Sequence, residues 1–452
     1  MPINFGAREI LGIMPLFCKR SAIFNGFSLW KAKKVFIFAN DLHKYAMILK
    51  FSITNFGPIR ETQTISFEAE KSDHLENYYI TEVAGHRVLK AMLLFGANAS
   101  GKTNVLNALD VLRKLATVPA ASKTEGTPCV PFLMDRESRL QPTEFEVDFI
   151  QGKDVFRYTV KANRDCILYE RLRSQSRRRI VFTRNTDVKS QLTKIVFGDD
   201  YPVKNDIEAA TLSSNTLWNE TVLAGYTKTN MDHKALLSAH KWFQNYLRPI
   251  VNPRHTLTRY VLDLMDKGLI DKDKFTEIFR QADFNIEGVL VKKDNGDEVL
   301  RLIHSGPDNQ SVDEIPYTME SLGTQRYFEL TGILYMLIDH PCAFPIDEIE
   351  SSTHPDLVKH FLLSFCTNAT TSQIIVTTHN RELLNDKDIF RSDIICFAEK
   401  DEAFSSRIYK LSDFGSDVVR NTSNVLNAYN AGKLGALPRL SHYYIDLEGK
   451  EE

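Results

Sequence analysis

One run of eight residues constrains the fold of this chain more than any other feature: Gly96-Ala97-Asn98-Ala99-Ser100-Gly101-Lys102-Thr103. Two glycines separated by four residues, and followed by lysine and threonine, form a loop that wraps phosphate groups with backbone N–H groups. The run follows a mostly apolar stretch, residues 88–95, and precedes apolar residues at helical spacing in residues 103–116. The sequence therefore predicts a buried strand, a phosphate-binding loop and a helix in direct succession.

Each part of this loop has a chemical role in binding ATP. The glycines let the backbone close around the phosphates, Lys102 reaches the β- and γ-phosphates, and the Thr103 hydroxyl joins the Mg²⁺ coordination shell. The positive end of the following helix also attracts phosphate. The predicted nucleotide-binding residues of the loop are Gly96, Asn98, Ala99, Ser100, Gly101, Lys102 and Thr103. A glycine-rich turn that only exposes a lysine is the alternative.

Two adjacent acids end an apolar run later in the chain. Residues 343–346 are apolar, and Asp347 and Glu348 follow them. Hydrolysis of a bound nucleotide needs a carboxylate on Mg²⁺ and a group that orients water. We therefore assign Asp347, together with Thr103, to Mg²⁺, and Glu348 to the attacking water. A solvated strand end is the alternative, and Pro345 removes one hydrogen-bond donor from the predicted strand.

A histidine follows the next buried-strand candidate, residues 373–377, about 30 residues after the two acids. At the end of a core strand, His379 can reach a γ-phosphate and sense it. The predicted catalytic residues are therefore Glu348, His379 and Lys102. The alternative is a histidine without a function, which is the usual meaning of a lone histidine.

The run Glu320-Ser321-Leu322-Gly323-Thr324-Gln325-Arg326 opens a predicted helix shortly before the acidic strand. Ser321 and Gly323 at a helix N-terminus form a second anion-binding end. Since the chain already has its own phosphate loop, this second end predicts a nucleotide site that another subunit completes. The alternative is an ordinary helix N-cap, for which serine is a favoured residue.

The remaining patterns predict an α/β fold with a parallel core sheet, an antiparallel β subdomain and a helical insertion. Apolar residues alternate along residues 143–184, as in half-buried antiparallel strands, and Asn295-Gly296 marks a further hairpin. The predicted segments are 1–46, 47–205 with the phosphate loop, 206–282 with mainly helices, 283–440 with the acids and the histidine, and the charged tail 441–452. Residues 1–46 have no pattern that continues into the first strand. They are either a mis-called translation start or a genuine extension such as a partner-binding arm.

Composition excludes several classes of protein. The 452 residues are 43% hydrophobic and 25% charged with a net charge of −2, which is typical of a globular protein and gives no general argument for nucleic acid. No apolar run reaches the roughly 18 to 20 residues of a membrane helix. The six cysteines are scattered, as in a protein of the reducing cytosol. We therefore expect a cytoplasmic protein without a membrane partner.

The order of these motifs resembles an ABC-class ATPase head of the SMC/RecF/OLD group. Residues 49–59 resemble the first strand and turn of such heads, and residues 350–355 resemble their D-loop. Residues 429–438 resemble the C-terminal end of compact bacterial AAA-family ATPases found in anti-phage systems, such as the ATPase subunit of PARIS. The resemblance covers residues 47–440.

This resemblance implies a P-loop ABC-type ATPase head that uses ATP and Mg²⁺. It implies a homo-oligomer in which two heads sandwich ATP, with Ser321 and Gly323 of one chain on the γ-phosphate bound by the other. It also implies a switch that controls an effector, such as a nuclease, in anti-phage defence. Three features differ from the family. The signature is Ser-Leu-Gly-Thr-Gln instead of Ser-Gly-Gly-Gln, and the position of the Q-loop glutamine is not evident. The mostly helical residues 206–282 replace the long coiled coil of SMC proteins.

Two alternative functions remain at the level of sequence. A RecF-like repair ATPase would bind DNA directly, and the one dense basic run that it could use contains Arg171, Arg173, Arg177, Arg178 and Arg179. Such runs are usually solvated surface. An OLD-type nuclease would need a metal-binding nuclease domain after the ATPase, and about 70 residues after His379 leave too little room for one.

Overall fold

Most of the predicted strands and helices are present in one compact unit that begins at Tyr45. The computed structural model describes residues 45–282, 285–294, 297–306, 312–386, 389–414 and 425–438. Residues 1–44, the Asn295-Gly296 turn and the tail 441–452 lie outside these ranges.

The strands are β1 (Ala46–Thr54), β2 (Gln63–Ser66), β3 (Ile80–Val83), β4 (His86–Leu89), β5 (Ala91–Phe95), β6 (Thr143–Gln151), β7 (Asp154–Ala162), β8 (Ile167–Ser174), β9 (Arg179–Asp187), β10 (Leu192–Phe197), β11 (Ile286–Asp294), β12 (Asp297–Ser305), β13 (Val312–Pro316), β14 (Ala343–Ile346), β15 (Gln373–Thr377), β16 (Ile395–Lys400) and β17 (Ser406–Lys410). The helices are α1 (Glu76–Tyr79), α2 (Lys102–Thr117), α3 (Asp206–Asn215), α4 (Val222–Tyr226), α5 (Lys234–Lys241), α6 (Thr258–Asp266), α7 (Lys272–Arg280), α8 (Leu322–Asp339), α9 (Pro355–Asn368) and α10 (Val425–Asn430).

The central sheet has the strand order β14-β15-β5-β16-β17. Its first four strands run parallel, and β17 is antiparallel to β16. Every residue of β5, β14 and β15 is buried, which explains why their sequences are apolar except for Gln373 and Thr377 at the two ends of β15. The predicted strand–helix–strand unit is confirmed, since α9 connects β14 to β15. Pro345 is tolerated because β14 is the edge strand of this sheet. On the outer side of β14 the Pro345 carbonyl accepts a hydrogen bond from Val251 N (2.8 Å), which belongs to an irregular segment.

The prediction of one strand across residues 88–95 is wrong, because Lys90 separates two strands. β4 pairs antiparallel with β3, whereas β5 pairs parallel with β15 and β16. The Lys90 ammonium is buried and donates to the carbonyls of Cys366 (2.6 Å) and Ala369 (2.9 Å) at the end of α9. A buried cation needs such acceptors, and Lys90 finds them by capping the C-terminal end of α9. The change of strand partners between β4 and β5 occurs at this residue.

The predicted antiparallel strands form a second sheet with the order β10-β9-β8-β7-β6-β1-β2. In β1 the pairing register shifts between Ile48 and Lys50. The buried Gln373 amide binds the Ile48 backbone there: its Oε1 accepts from Ile48 N (2.6 Å), and its Nε2 donates to Ile48 O (3.0 Å) and Leu89 O (2.9 Å). One side chain at the start of β15 therefore joins the two sheets.

Residues 206–282 contain five α-helices (α3 to α7), which agrees with the prediction of mainly helices, and these helices pack into the same core. The Thr221 hydroxyl, which caps α4, donates to Leu115 O in α2 over 2.5 Å. The α6 residue Val261 lies so close to Gly332 of α8 that a Cβ at Gly332 would be 2.5 Å from it. The segment thus supports both the helix after the phosphate loop and the helix that follows Ser321. Within the described ranges, no helix combines the length and the apolar character that crossing a bilayer requires.

Candidate functional site

The glycine-rich loop connects β5 to α2 at the carboxyl edge of the central sheet. Gly96 and Gly101 have φ angles of 154° and 103°, which side-chain-bearing residues rarely adopt. A Cβ at Gly96 would also be 2.2 Å from Ala398 O in the neighbouring strand β16. Glycine is therefore required where β16 passes the start of the loop.

The polar groups of the loop converge on its interior. Lys102 Nζ donates to the carbonyls of Gly96 (2.8 Å) and Ala97 (2.9 Å). Burial lowers the pKa of Lys102, while Asp347 and other nearby carboxylates oppose that shift. The Ser100 hydroxyl is buried and has no hydrogen-bond partner among the described residues. A buried hydroxyl without a partner fits a loop that donates to phosphate oxygens.

Three oxygen-bearing side chains meet beside the loop. Asp347 Oδ1 accepts a hydrogen bond from Thr103 Oγ1 (2.9 Å) and another from Thr377 Oγ1 (2.7 Å). A carboxylate next to a threonine hydroxyl is the type of donor set that Mg²⁺ prefers, so these residues fit the predicted metal. No sequence motif marks Thr377 as a site residue, although it ends β15 directly before the Thr378-His379 turn.

Glu348 has a backbone conformation that is unusual for its residue type. Its φ is 45°, in the left-handed region. Two hydrogen bonds hold this conformation: Glu348 N donates to Thr377 Oγ1 (2.8 Å), and Ile349 N donates to Thr377 O (3.2 Å). Strain of this kind costs about 1–3 kcal/mol and is concentrated at functional sites. Thr377 therefore fixes both predicted acids: it binds the side chain of Asp347 and the backbone of Glu348.

His379 lies next to a carboxylate that sequence reasoning did not assign to the site. His379 N donates to Glu350 Oε1 over 2.5 Å. Burial lowers the pKa of His379 and the Lys102 ammonium lowers it further, against the effect of the nearby acids, so the imidazole is neutral at pH 7. A neutral imidazole can donate one hydrogen bond and accept another.

Beside these groups lies a cavity of about 780 Å³, whose lining includes Glu348 and His379 but not Lys102, Thr103 or Asp347. Residues 96–100 of the loop form one side, and Glu348 and His379 form another. Tyr429 and residues 436–438 of the C-terminal segment also line it. The Tyr429 hydroxyl donates to Ala436 O (3.0 Å), and its ring stacks on Phe397 of β16 with the ring centres 5.5 Å apart. The C-terminal segment is therefore part of the site wall, a role that its sequence did not indicate.

The family model described as "AAA domain, putative AbiEii toxin, Type IV TA system" matches residues 91–385, more than half of the chain. The chain belongs to this family. The matched range includes the loop, Ser321, both acids and His379, and the prediction of a P-loop ATPase of the AAA family is confirmed.

Two solved structures of SMC heads are also similar to this AAA-family chain. The "SMC head domain from Thermotoga maritima" has 13% identity and a TM-score of 0.37, and the match covers 80% of this chain and 98% of that one. The "SmcHead bound to the C-winged helix domain of ScpA" has 14% identity and a TM-score of 0.40, with 80% and 97% covered. No curated protein matches this chain.

In this AAA-family head, Ser321 and Gly323 lie apart from the cavity. Ser321 caps α8, its hydroxyl accepting from Thr324 N (3.0 Å), so the N-cap interpretation describes its contacts within the chain. A Cβ at Gly323 would be 3.1 Å from the carbonyl of Ser352, which follows the acids. Met319 and Leu322 beside Ser321 are 75% and 71% exposed. Large apolar side chains at an exposed helix start are suited to an interface.

Proposed function

We propose that this protein is a Mg²⁺-dependent ATPase of the ABC class. The observation that carries the proposal is the meeting of Thr103, Asp347 and Thr377 beside a cavity lined by the loop, Glu348 and His379. Strands that are far apart in sequence bring together a phosphate-binding loop, a metal-binding acid and a second acid for water. Phosphoryl transfer to water needs these three parts.

Each residue of the site has a defined task in the proposed reaction. The loop N–H groups and Lys102 bind the phosphates, and Glu348 orients a water molecule and accepts its proton. His379, with its neutral ring, donates a hydrogen bond to the γ-phosphate. Thr103 and Asp347 would hold Mg²⁺, which when bound would supply positive charge that offsets the negative charge of the phosphates.

A second copy of the chain completes the site in this proposal. Ser321 and Gly323 do not line the cavity of their own chain, and the exposed Met319 and Leu322 border them. Two heads that sandwich ATP would bury these apolar side chains and bring the start of each α8 to the phosphates bound by the other chain.

We further propose that ATP-driven closing of the heads controls a partner effector, such as a nuclease, in anti-phage defence. The resemblance to compact AAA-family ATPases of anti-phage systems supports this role. So does the family description, which names a toxin and a type IV toxin–antitoxin system.

Direct DNA binding is a second candidate, favoured by two arginines on the outer face of the antiparallel sheet. Arg171 lies between Thr159 and Thr183, and Arg173 lies beside Arg157. No carboxylate forms an ion pair with Arg171 or Arg173 in the described part of the chain, whereas Arg157 pairs with Asp148. If the double change of Arg171 and Arg173 to Gln leaves DNA affinity and its salt dependence unchanged, this candidate fails.

The ATPase proposal is tested with two substitutions. Lys102→Ala should abolish binding of labelled ATP, and Glu348→Gln should retain binding but reduce turnover by about 100-fold or more. ATP should convert Glu348→Gln into a dimer that light scattering detects. The exposed Glu402 is the matched control, and Glu402→Gln should behave as the wild type. Normal turnover by Glu348→Gln would show that another group activates the water.

A further inference from the structure

Two cations that the proposed mechanism does not use line the nucleotide cavity. They are Arg381, just after the turn that contains His379, and Lys400, the last residue of β16. Both are solvent-accessible, and both border the same space as Glu348 and residues 96–100.

The backbone at Arg381 is fixed by its neighbours. Asn380 N donates to the Thr378 hydroxyl (3.0 Å), and Asn380 Oδ1 accepts from Glu382 N (3.1 Å) at the start of a short 3₁₀ turn, Arg381–Asn385. Leu383 of this turn is buried. Arg381 therefore starts from an anchored position two residues beyond His379.

Arg381 lines the cavity together with Tyr429. It lies close enough to Tyr429, another lining residue, to lower the pKa of that phenol against the larger effect of burial. The nearby Asp386 carboxylate pairs with Lys359 over 2.8 Å. Across the described ranges, no ion pair involves Arg381.

Lys400 reaches the cavity because β16 runs parallel to β5, with Phe397 opposite Phe95, and continues past the start of the loop. The adjacent Glu399 carboxylate also lines the cavity and accepts a hydrogen bond from Ala436 N (3.0 Å) in the C-terminal segment. Lys400, like Arg381, has no ion-pair partner among the residues that the structure describes.

We propose that Arg381 is a catalytic residue supplied by the same chain, donating hydrogen bonds to the γ-phosphoryl oxygens during hydrolysis, and that Lys400 strengthens ATP binding by its charge. This inference rests on the proposed ATPase function. In the reaction, the water oxygen bonds to the γ-phosphorus, a water proton passes to Glu348, and the bond from the γ-phosphorus to the bridging oxygen breaks. Its electron pair stays on the β-phosphate of ADP. Negative charge grows on oxygens near the cavity wall. A guanidinium there stabilises the transition state more than it stabilises the bound ATP before reaction.

The test compares Arg381→Ala and Arg381→Lys with Arg407→Ala. Arg407 is an exposed arginine on the adjacent strand β17 that does not line the cavity and lies near Asp401. Arg381→Ala should lower kcat by about 100- to 1000-fold, with the Kd for ATP changed by less than about threefold. Arg381→Lys should recover part of the rate, and Arg407→Ala should match the wild type. Lys400→Ala should raise the Kd for ATP several-fold at unchanged kcat.

A second measurement separates a catalytic from a structural role. Arg381→Ala should bind ADP with aluminium fluoride, a mimic of the transferring phosphoryl group, about 100-fold more weakly than the wild type, yet bind ADP alone equally well. Equal loss of both affinities, or a kcat within threefold of the wild type, would overturn the role of Arg381 while the ATPase proposal stands. If the wild-type protein shows no ATPase activity that Lys102→Ala removes, both the role of Arg381 and the ATPase proposal are overturned.

Discussion

Replacing Thr377 by valine tests whether one hydroxyl organises both acids of the site. Valine keeps the shape of threonine and the branching that suits a strand, but it has no hydroxyl. The change removes the hydrogen bond to Asp347 Oδ1 (2.7 Å) and the acceptor for Glu348 N (2.8 Å). Since Thr377 is fully buried at the end of β15, no bulk water replaces the lost group.

The expected effect follows from the charge of Asp347. A hydrogen bond to a charged group contributes about 1.5–3 kcal/mol. Asp347 keeps its bond from Thr103, so it remains close to the loop but loses one of two restraints. If the lost energy appears in the transition state, kcat should fall by about 10- to 150-fold, because about 1.4 kcal/mol corresponds to tenfold in rate.

The assay measures kcat for ATP over a range of Mg²⁺ concentrations, together with urea unfolding. Thr377→Ser should restore most of the rate, since it keeps the hydroxyl. Thr64→Val is the matched control: it removes an exposed hydrogen bond to Ser52 on β1, outside the cavity. A folded Thr377→Val protein with wild-type kcat would refute the reasoning, as would a serine variant that is equally slow.

Two further predictions concern stability and pH. Gln373→Leu leaves buried backbone groups at Ile48 and Leu89 without partners, so we expect a loss of about 3–5 kcal/mol in the free energy of unfolding by urea. As a control, substitution of the exposed Gln141 by leucine should change that free energy by less than about 0.5 kcal/mol. An unchanged urea midpoint for Gln373→Leu would contradict the role of Gln373 in joining the two sheets. Because the pKa of His379 is lowered, turnover should stay constant as the pH falls to about 6.5, the ordinary histidine value, and decline only below it. His379→Gln should lack that decline, and a decline beginning above pH 6.5 would show that His379 is not the titrating group.

The parts of the site that could be predicted share one property: each is marked locally in the sequence. The glycine-rich loop follows an apolar strand, Asp347 and Glu348 end another, and His379 follows a third. Because the carboxyl ends of parallel strands meet at one edge of a sheet, these local patterns sufficed to bring the three parts together.

The remaining site residues depend on contacts that no local pattern encodes. Thr377 matters because β15 lies between β14 and β5, and strand order is not written in any single strand. Tyr429 lines the cavity because its ring stacks on Phe397. Glu350 was predicted only as part of the D-loop segment, and its contact with the His379 backbone depends on the left-handed turn at Glu348. The break at Lys90 likewise reflects α9, whose end the lysine caps.

The contacts around Glu348 also explain how a second copy of the chain could act on the site. The loop is held by β16, where Gly96 meets Ala398 O, whereas Glu348 belongs to a turn in which Ser351 N donates to Glu348 O (2.8 Å). Gly323, at the start of α8, lies beside this same turn, since a Cβ on it would be 3.1 Å from Ser352 O. In the proposed head dimer, a displacement of the start of α8 would therefore reach the turn that carries Glu348, and Asp347 connects that turn to Thr103 at the end of the loop. Under the proposal of a head dimer, one chain would bind ATP through its loop, and contacts from the second chain would influence how Glu348 activates water.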